Sequence, residues 1–122
     1  MVEVICDTSF LIHIANSRIK NIASFETEIG QINFIVPIVV LNELKKLSND
    51  DKKEIRVRST LEYIKNFKKI EIFGHFADEA ILEKVKKNGG IIATMDKELK
   101  NKVKNLGGSV ISIANNRIVL EK

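Results

Sequence analysis

The chain has 122 residues, of which 44% are hydrophobic and 30% are charged, and its formal net charge is +4. This length fits one compact domain, residues 1–122, and the composition excludes a disordered or low-complexity protein. The single cysteine, Cys6, excludes an internal disulfide and a cysteine-based zinc site. The mild positive charge is compatible with a polyanionic partner but does not require one.

The hydropathy of the chain gives no sign of export or membrane insertion. The first apolar run contains Glu3 and Asp7 and has no basic segment before it, so we expect no signal peptide. No apolar run approaches the roughly 18 residues that a membrane-spanning helix needs. We therefore expect a cytoplasmic protein without a membrane partner.

Strand-like and helix-like segments alternate along the chain, separated by Gly, Pro, Asn and Ser residues that are typical of turns. In the first half we predict, in chain order, strand Val2–Cys6, a helix beginning near Phe10, a helix from Arg18 to about Ile29, strand Asn33–Val36 and a helix from Pro37 to Leu47. In the second half we predict helix Arg56–Phe67, strand Ile70–Phe73, a helix from about Ala77 to Lys87, strand Ile91–Thr94, helix Lys97–Asn105, strand Ser109–Ile113 and, after a turn at Asn115-Asn116, strand Ile118–Leu120. This alternation predicts an α/β fold, a three-layer α/β/α sandwich with a central, mostly parallel sheet.

Two acidic residues follow predicted strands. In parallel α/β sheets, ligands bind beyond the carboxyl ends of the strands. Asp7 directly follows strand Val2–Cys6, and Asp96 lies just after strand Ile91–Thr94. Asp96 is also a natural N-cap for the next helix, so capping alone would explain it. Asp7 is harder to explain structurally, because it follows a strand that we expect to be central and buried.

Two further acidic residues lie on predicted helices. Glu43 falls in the same i, i+4 row as Val39 and Leu47, and a carboxylate in an apolar stripe is costly unless it is paired, protonated or bound to a metal. The alternative for Glu43 is a place at the edge of the stripe or pairing with a lysine. Asp78 lies in the first turn of its helix, where an acid also interacts favourably with the helix dipole.

Together, these acids predict a metal site made of Asp7, Glu43, Asp78 and Asp96. Mg²⁺ and Mn²⁺ prefer several oxygen ligands, and carboxylates supply them while offsetting the charge of the ion. Without a cation, acids that converge at one end of a sheet would repel one another strongly. One or two bound cations would activate a water for in-line attack on a phosphodiester, so a histidine base is not required.

Four segments of the chain resemble the PIN-domain nuclease family, in the family's order and with compatible spacing, over nearly the whole length. The matching segments are Cys6-Asp7-Thr8-Ser9-Phe10-Leu11, Val36-Pro37 through Glu43-Leu44, Ala77-Asp78-Glu79-Ala80-Ile81-Leu82 and Ile92-Ala93-Thr94-Met95-Asp96-Lys97-Glu98-Leu99. The chain resembles both the toxin half of VapC-type toxin–antitoxin pairs and small archaeal PIN proteins similar to ribosomal-RNA processing endonucleases. The Pro37–Leu47 and Ala77–Leu82 segments look closer to the second group.

This resemblance implies an Mg²⁺- or Mn²⁺-dependent endoribonuclease that leaves a 5′-phosphate and a 3′-hydroxyl. It implies that the metal-binding, catalytic acids are Asp7, Glu43, Asp78 and Asp96. It also implies supporting hydroxyl groups at Ser9 and Thr94. It further implies RNA as the substrate, a homodimer and, for a toxin, an antitoxin protein as partner. Relatives often carry a second aspartate where this chain has Glu79, so we leave Glu79 and Glu98 outside the core set of acids.

Other function classes fit less well. A receiver domain would need a phosphoacceptor aspartate where this chain has Phe73-Gly74, and a haloacid-dehalogenase-type phosphatase would need an aspartate at the position of Ser9. The alternative that remains is a non-catalytic PIN-like module that binds RNA or protein, against which the presence of all four acids argues. The sequence also leaves open whether a nuclease would act as a toxin or in RNA processing.

Lysine pairs are the candidates for contacts with RNA phosphates. These pairs are Lys45-Lys46, Lys52-Lys53, Lys68-Lys69 and Lys86-Lys87. The Phe and Tyr residues fall mainly at core-like positions, so the sequence predicts no platform on which bases would stack.

Overall fold

The computed structural model describes residues 2–19, 31–50, 52 and 54–121, and within them six strands alternate with five helices. In chain order these elements are β1 (Val2–Cys6), α1 (Thr8–Ala15), β2 (Ile32–Pro37), α2 (Ile38–Leu47), α3 (Glu54–Tyr63), β3 (Lys68–Ile70), α4 (Ala77–Asn88), β4 (Ile91–Ala93), α5 (Lys97–Asn105), β5 (Ser109–Ala114) and β6 (Arg117–Glu121). The predicted helix from Arg18 to about Ile29 falls mainly on residues 20–30, outside the described residues. Of the helices described, none is both long and apolar enough to cross a membrane.

The six strands form one sheet in the order β3-β2-β1-β4-β5-β6. Neighbouring strands run parallel except β5 and β6, which form an antiparallel hairpin. The turn of this hairpin is Asn115-Asn116, whose φ angles of 54° and 60° are those that a two-residue hairpin turn requires. The mostly parallel sheet with its helices confirms the predicted three-layer α/β/α fold, and it places β1 between β2 and β4.

The third strand lies earlier than the sequence predicts. The predicted strand was Ile70–Phe73, but β3 ends at Ile70, and the preceding helix is Glu54–Tyr63 instead of Arg56–Phe67. The reason lies in the partner of β3, which is β2. Their register ends with Pro37 opposite Ile70, and Pro37 is where the chain turns into α2. The residues after Ile70 therefore have no strand to pair with and continue as a loop to α4.

The core lies around the two central strands, β1 and β4. Val4, Cys6, Ile92 and Ala93 are all fully buried. Such strands, buried on both faces, are expected in a parallel sheet that helices cover. Cys6 belongs to this core, and its burial raises the pKa of its thiol. Cys6 is therefore a packing residue with no accessible thiolate at neutral pH.

Glu121, at the end of β6, ties the edge of the sheet to α5. Its carboxylate oxygens lie 2.8 Å from Lys100 Nζ and 3.1 Å from Lys104 Nζ. The Ser112 hydroxyl donates to the same carboxylate. The hydrogen bond from Lys100, and after it the one from Ser112, lowers the pKa of Glu121 to about 2.

We expect Glu121→Gln to lower the melting temperature at neutral pH but not in strong acid. Because the folded pKa of Glu121 is about 2 and its ordinary value is 4.5, the ionised carboxylate stabilises the fold above pH 4.5, and this contribution is lost as the pH falls towards 2. Calorimetric melting curves recorded from neutral pH down towards pH 2 should show the difference in melting temperature between Glu121→Gln and wild type shrinking towards zero. Glu83→Gln, which removes an exposed ion pair with Lys87, is the control and should change stability little at any pH. Equal losses in both variants would contradict the role given to Glu121.

Candidate functional site

The carboxyl ends of β1 and β4 meet at the centre of the sheet. Cys6 pairs with Ala93 in the register of these strands, and the Asp7 N–H donates to the Ala93 carbonyl at 2.9 Å. Asp7 and Thr94, the residues that follow the two strands, are therefore side by side although they are 87 positions apart in the chain.

Two hydroxyl groups hold the Asp7 side chain. Asp7 is only 8% exposed, and its Oδ2 accepts hydrogen bonds from Thr94 Oγ1 at 2.9 Å and from Ser9 Oγ at 3.2 Å. The hydroxyl oxygens of Ser9 and Thr94 lie 3.3 Å from each other. The carboxylate is thus oriented by groups from two elements, helix α1 and the loop that follows β4.

The same hydroxyls organise the start of α5. Thr94 Oγ1 accepts a hydrogen bond from the Asp96 N–H at 3.1 Å, and Ser9 Oγ accepts one from the Met95 N–H at 3.1 Å. Asp96 is the N-cap of α5, because its Oδ1 accepts from two N–H groups of the first turn at 2.9 and 3.1 Å. Asp96 therefore has the capping role that the sequence suggested, and both capping bonds use the same oxygen.

All four predicted acids line one pocket of about 300 Å³, which we call the acidic pocket. Asp7 is buried, Glu43 on α2 is half-buried, and Asp78 and Asp96, which lie at the starts of α4 and α5, are exposed. Ser9 also lines the acidic pocket, beside Asp7. Four separate elements thus deliver one carboxylate each to the same place.

The surroundings of Asp7 disfavour its charged form. Burial raises the pKa of its carboxyl, and the charge of Glu43 adds to this rise, while hydrogen bonds from Thr94, the Thr8 backbone and Ser9 act in the opposite direction. The net direction is upward. A cation in the acidic pocket would favour the ionised form, because an opposite charge within a few ångström stabilises a carboxylate.

The carboxylate oxygens that line the acidic pocket are the type of ligand that a hard divalent cation takes. Within the described residues, however, no three His, Cys, Asp or Glu side chains lie close enough together to hold one ion. Without a cation, repulsion between the negatively charged carboxylates favours keeping them apart.

Glu79 and Glu98, which the sequence analysis left outside the core set, do not line the acidic pocket. Both are exposed, and the Glu98 carboxylate lies 3.0 Å from Lys102 Nζ, one turn further along α5. Their positions support leaving them outside the set of proposed ligands.

Sequence reasoning missed two exposed aromatic residues in the segment between β3 and α4. Phe73 is 67% exposed and Phe76 is 63% exposed, so the expectation of core-like positions is wrong for both. The misplaced third strand had assigned Phe73 to the sheet. A signal was present in Phe73-Gly74-His75-Phe76, because this run has neither strand nor helix periodicity and contains a glycine, as loops do.

Comparison with known proteins finds relatives over most of the chain. Residues 4–116 match the family described as PIN like domain. The chain is 36% identical over 113 residues to Ribonuclease VapC4 of Methanocaldococcus jannaschii, which covers 84% of this chain and 83% of that protein. It is 30% identical over 105 residues to Ribonuclease VapC9 of Archaeoglobus fulgidus, which covers 84% of this chain and 76% of that protein.

Solved structures show the same likeness. The structure of the PIN domain endonuclease Utp24 superposes with a TM-score of 0.79 at 26% identity, covering 98% of this chain and 90% of that chain. A domain of a functionally unknown protein from Methanocaldococcus jannaschii superposes with a TM-score of 0.59 at 19% identity, covering 93% of this chain and 92% of that chain. The second likeness is one of fold alone.

Proposed function

The chain belongs to the family of PIN-like domains, and from that premise we propose that it is a metal-dependent endoribonuclease that hydrolyses RNA phosphodiester bonds. The observation that carries the proposal is the acidic pocket, which is lined by Asp7, Glu43, Asp78 and Asp96. A buried carboxylate that is oriented by two hydroxyls and surrounded by further acids is what a divalent-cation site needs.

The relatives support a nuclease. VapC4 and VapC9 are named ribonucleases, and Utp24 is described as a PIN domain endonuclease. The shared region covers at least 76% of each of these proteins, so it is the bulk of each chain and not a small module within it.

We propose that one or two Mg²⁺ or Mn²⁺ ions bind at Asp7, Glu43, Asp78 and Asp96. When bound, a divalent cation supplies Lewis acidity to the phosphate and lowers the pKa of an attacking water. Asp7 is the central ligand in this proposal, because it is buried and fixed in orientation. Ser9 and Thr94 act through Asp7, since their hydrogen bonds hold its Oδ2 in place.

The alternative is a non-catalytic module that binds RNA or protein. A module of that kind gains nothing from a buried carboxylate whose charged form is disfavoured by its surroundings. Acids whose pKa is shifted by their surroundings are concentrated at functional sites, which favours the catalytic interpretation.

The biological role that we propose is that of a VapC-type toxin, with an antitoxin protein as partner. Both ribonucleases named above carry the VapC name, and VapC-type toxins are one of the two groups that the sequence resembles. RNA processing is the second role for the same chemistry, and it is favoured by the Pro37–Leu47 and Ala77–Leu82 segments, which look closer to the processing group. A single domain, a homodimer and a cytoplasmic location complete the proposal.

We expect the protein to cleave a labelled single-stranded RNA in Mn²⁺ or Mg²⁺ and to stop cleaving it when EDTA removes the metal. Excess Mn²⁺ added to the EDTA-treated protein should restore cleavage, because the carboxylates remain in place. The 3′ ends of the products should be extended by a poly(A) polymerase, which requires the 3′-hydroxyl that we propose.

Cleavage that persists in EDTA would contradict the metal requirement. The non-catalytic alternative would be favoured if no RNA were cut with either metal and calorimetric titration detected no Mn²⁺ binding. Metal binding that is lost on Glu43→Gln, without any cleavage of the RNAs tried, would instead indicate a site that acts on a more selective substrate.

A further inference from the structure

A second pocket, which we call the flanking pocket, adjoins the acidic pocket. It has a volume of about 670 Å³, and its walls include Val39, Glu43 and Lys46 of α2 and His75 and Phe76 of the loop before α4. Glu43 lines both pockets, so the two form one continuous surface. When the reacting group of a ligand lies at the acids, the adjacent part of the same ligand can therefore enter the flanking pocket.

Backbone contacts hold the walls of the flanking pocket in place. The Val39 N–H donates to the Ile72 carbonyl at 2.9 Å, which ties the loop to the first turn of α2. The Ala80 N–H donates to the Phe76 carbonyl at 3.2 Å, which ties the other end of the loop to α4. Gly74 packs so closely that an added Cβ would lie 3.3 Å from the Ala80 Cβ. The flanking pocket is therefore largely preformed, which lowers the entropic cost of binding.

The flanking pocket combines an exposed aromatic ring with an unpaired cation. Phe76 is 63% exposed and takes part in none of the ring–ring contacts found among the described residues. Lys46 is exposed and forms no salt bridge with any residue that the structure describes. A flat apolar ring and a cation that line the same pocket match the two parts of a nucleotide, a base with a π-face and a phosphate.

We propose that the flanking pocket binds the nucleotide next to the scissile phosphate of a single-stranded RNA, with the base on the Phe76 ring and a phosphate at Lys46. This inference rests on the proposed function, which places the scissile phosphate at the acidic pocket. Bases in a duplex are stacked on their neighbours, so only an unpaired base can stack on a protein side chain. His75, next to Phe76, supplies ring nitrogens that can hydrogen-bond to the base and so favour one base over another.

The chemistry of the flanking pocket favours RNA over a protein partner. A protein-docking surface would draw on both exposed aromatic residues, but Phe73, which is 67% exposed, does not line the flanking pocket. The pocket is instead continuous with the acids through Glu43 and carries the unpaired Lys46. These are the features of a subsite for a charged chain molecule that extends beyond the reacting group.

The test measures RNA binding separately from cleavage. Fluorescence anisotropy with labelled oligo(A) and oligo(U) strands, in an Asp7→Asn background that suppresses cutting, gives the Kd. We expect Phe76→Ala to raise the Kd about tenfold, which is about 1.4 kcal/mol and within the range for loss of one stacked base. Phe76→Trp should keep the wild-type affinity, because it restores a stacking surface. Phe73→Ala, an equally exposed aromatic outside the flanking pocket, should leave the Kd unchanged.

The charge at Lys46 has its own test. In Lys46→Ala, the slope of log Kd against log salt should fall by about 0.7, the value for one phosphate contact on a single strand. Lys45→Ala, an exposed neighbour on α2 that does not line the flanking pocket, is the matched control and should change the slope less.

Unchanged RNA affinity in Phe76→Ala would overturn the inference, as would equal losses in Phe76→Ala and Phe73→Ala. A change of oligomeric state in Phe76→Ala, measured by sedimentation with RNA affinity unaltered, would also overturn it and assign the ring to a protein interface. Absence of both cleavage and Mn²⁺ binding in the wild type, with the Phe76 effect on RNA binding present, would contradict the proposed function but support the subsite. Cleavage by the wild type without a Phe76 effect on RNA binding would support the proposed function but contradict the subsite.

Discussion

Replacing Asp7 by asparagine is expected to reduce RNA cleavage by more than about 100-fold while leaving the fold intact. Outer partners of metal ligands alone are worth 10- to 100-fold in activity, and the proposed central ligand should be worth more. The asparagine is nearly isosteric, and its side-chain oxygen can still accept the hydrogen bonds from Ser9 and Thr94. Initial rates of cleavage of a labelled RNA at saturating Mn²⁺ measure the loss of activity. Circular dichroism of the wild type and of Asp7→Asn shows whether the fold is intact.

The same substitution should raise the melting temperature of the metal-free protein at neutral pH. Burial, followed by the charge of Glu43, raises the folded pKa of Asp7 above its ordinary value. The folded protein therefore holds this proton more tightly than the unfolded chain, and stability is lost as the pH rises through the folded pKa. In EDTA, the difference in melting temperature between Asp7→Asn and wild type should be absent in acid and should grow as the pH rises towards neutral.

Asp50→Asn is the control for both measurements, because Asp50 is exposed and does not line the acidic pocket. It should change neither the cleavage rate nor the pH dependence of stability appreciably. An Asp7→Asn protein that still cuts RNA at the wild-type rate would remove Asp7 from the proposed site. A large fall in its melting temperature would mean that loss of activity came from unfolding.

Replacing Thr94 by valine is expected to reduce cleavage about 10- to 100-fold and to destabilise the fold by about 1–3 kcal/mol. Thr94 is fully buried, and its hydroxyl donates to Asp7 and accepts from the Asp96 N–H. Valine keeps the shape of the side chain but leaves the Asp7 carboxylate with one donor fewer. Chemical denaturation and RNA cleavage measure the two effects, and Thr94→Ser should recover most of both because it restores the hydroxyl.

Thr60→Val separates the positioning role of Thr94 from a general cost of losing a buried hydroxyl. Thr60 is also fully buried, and its hydroxyl donates to the Arg56 carbonyl at 2.8 Å and accepts from Asn16 Nδ2 at 3.3 Å. It should lose a similar amount of stability but keep its activity where the protein is folded. If the two valine variants lost activity equally, Thr94 would have no special part in holding Asp7.

The sequence predicted the location of the acidic pocket because that location follows from simple rules. Asp7 and Asp96 follow parallel strands, whose carboxyl ends meet at one edge of a sheet. Glu43 stood out as a charge within an apolar helix row, whereas Asp78 was the least distinctive member of the set, because an acid in a first turn has an ordinary structural explanation. The catalytic roles of these residues stay predictions.

The parts that the sequence did not predict depend on contacts between distant residues. The end of β3 is set by where its partner strand stops, at Pro37, and nothing in the residues around Ile70 encodes that limit. The exposure of Phe73 was missed because of the same error, since a residue assigned to a strand is assumed to pack. The shared use of one Asp7 oxygen by Ser9 and Thr94 is a matter of ångström-scale geometry that spacing along a chain does not give.

The hydrogen bond that joins Asp7 to Thr94 spans 87 positions of the chain, and this bears on the order in which the protein is made. A ribosome delivers the N-terminal part of a protein first, so β1 and its aspartate emerge well before β4. Until Thr94 and Asp96 have been translated, the growing chain carries Asp7, Glu43 and Asp78 but lacks the fourth acid of the acidic pocket and the hydroxyl of Thr94 that orients Asp7. We therefore expect an unfinished product that stops before β4 to be inert as the proposed nuclease.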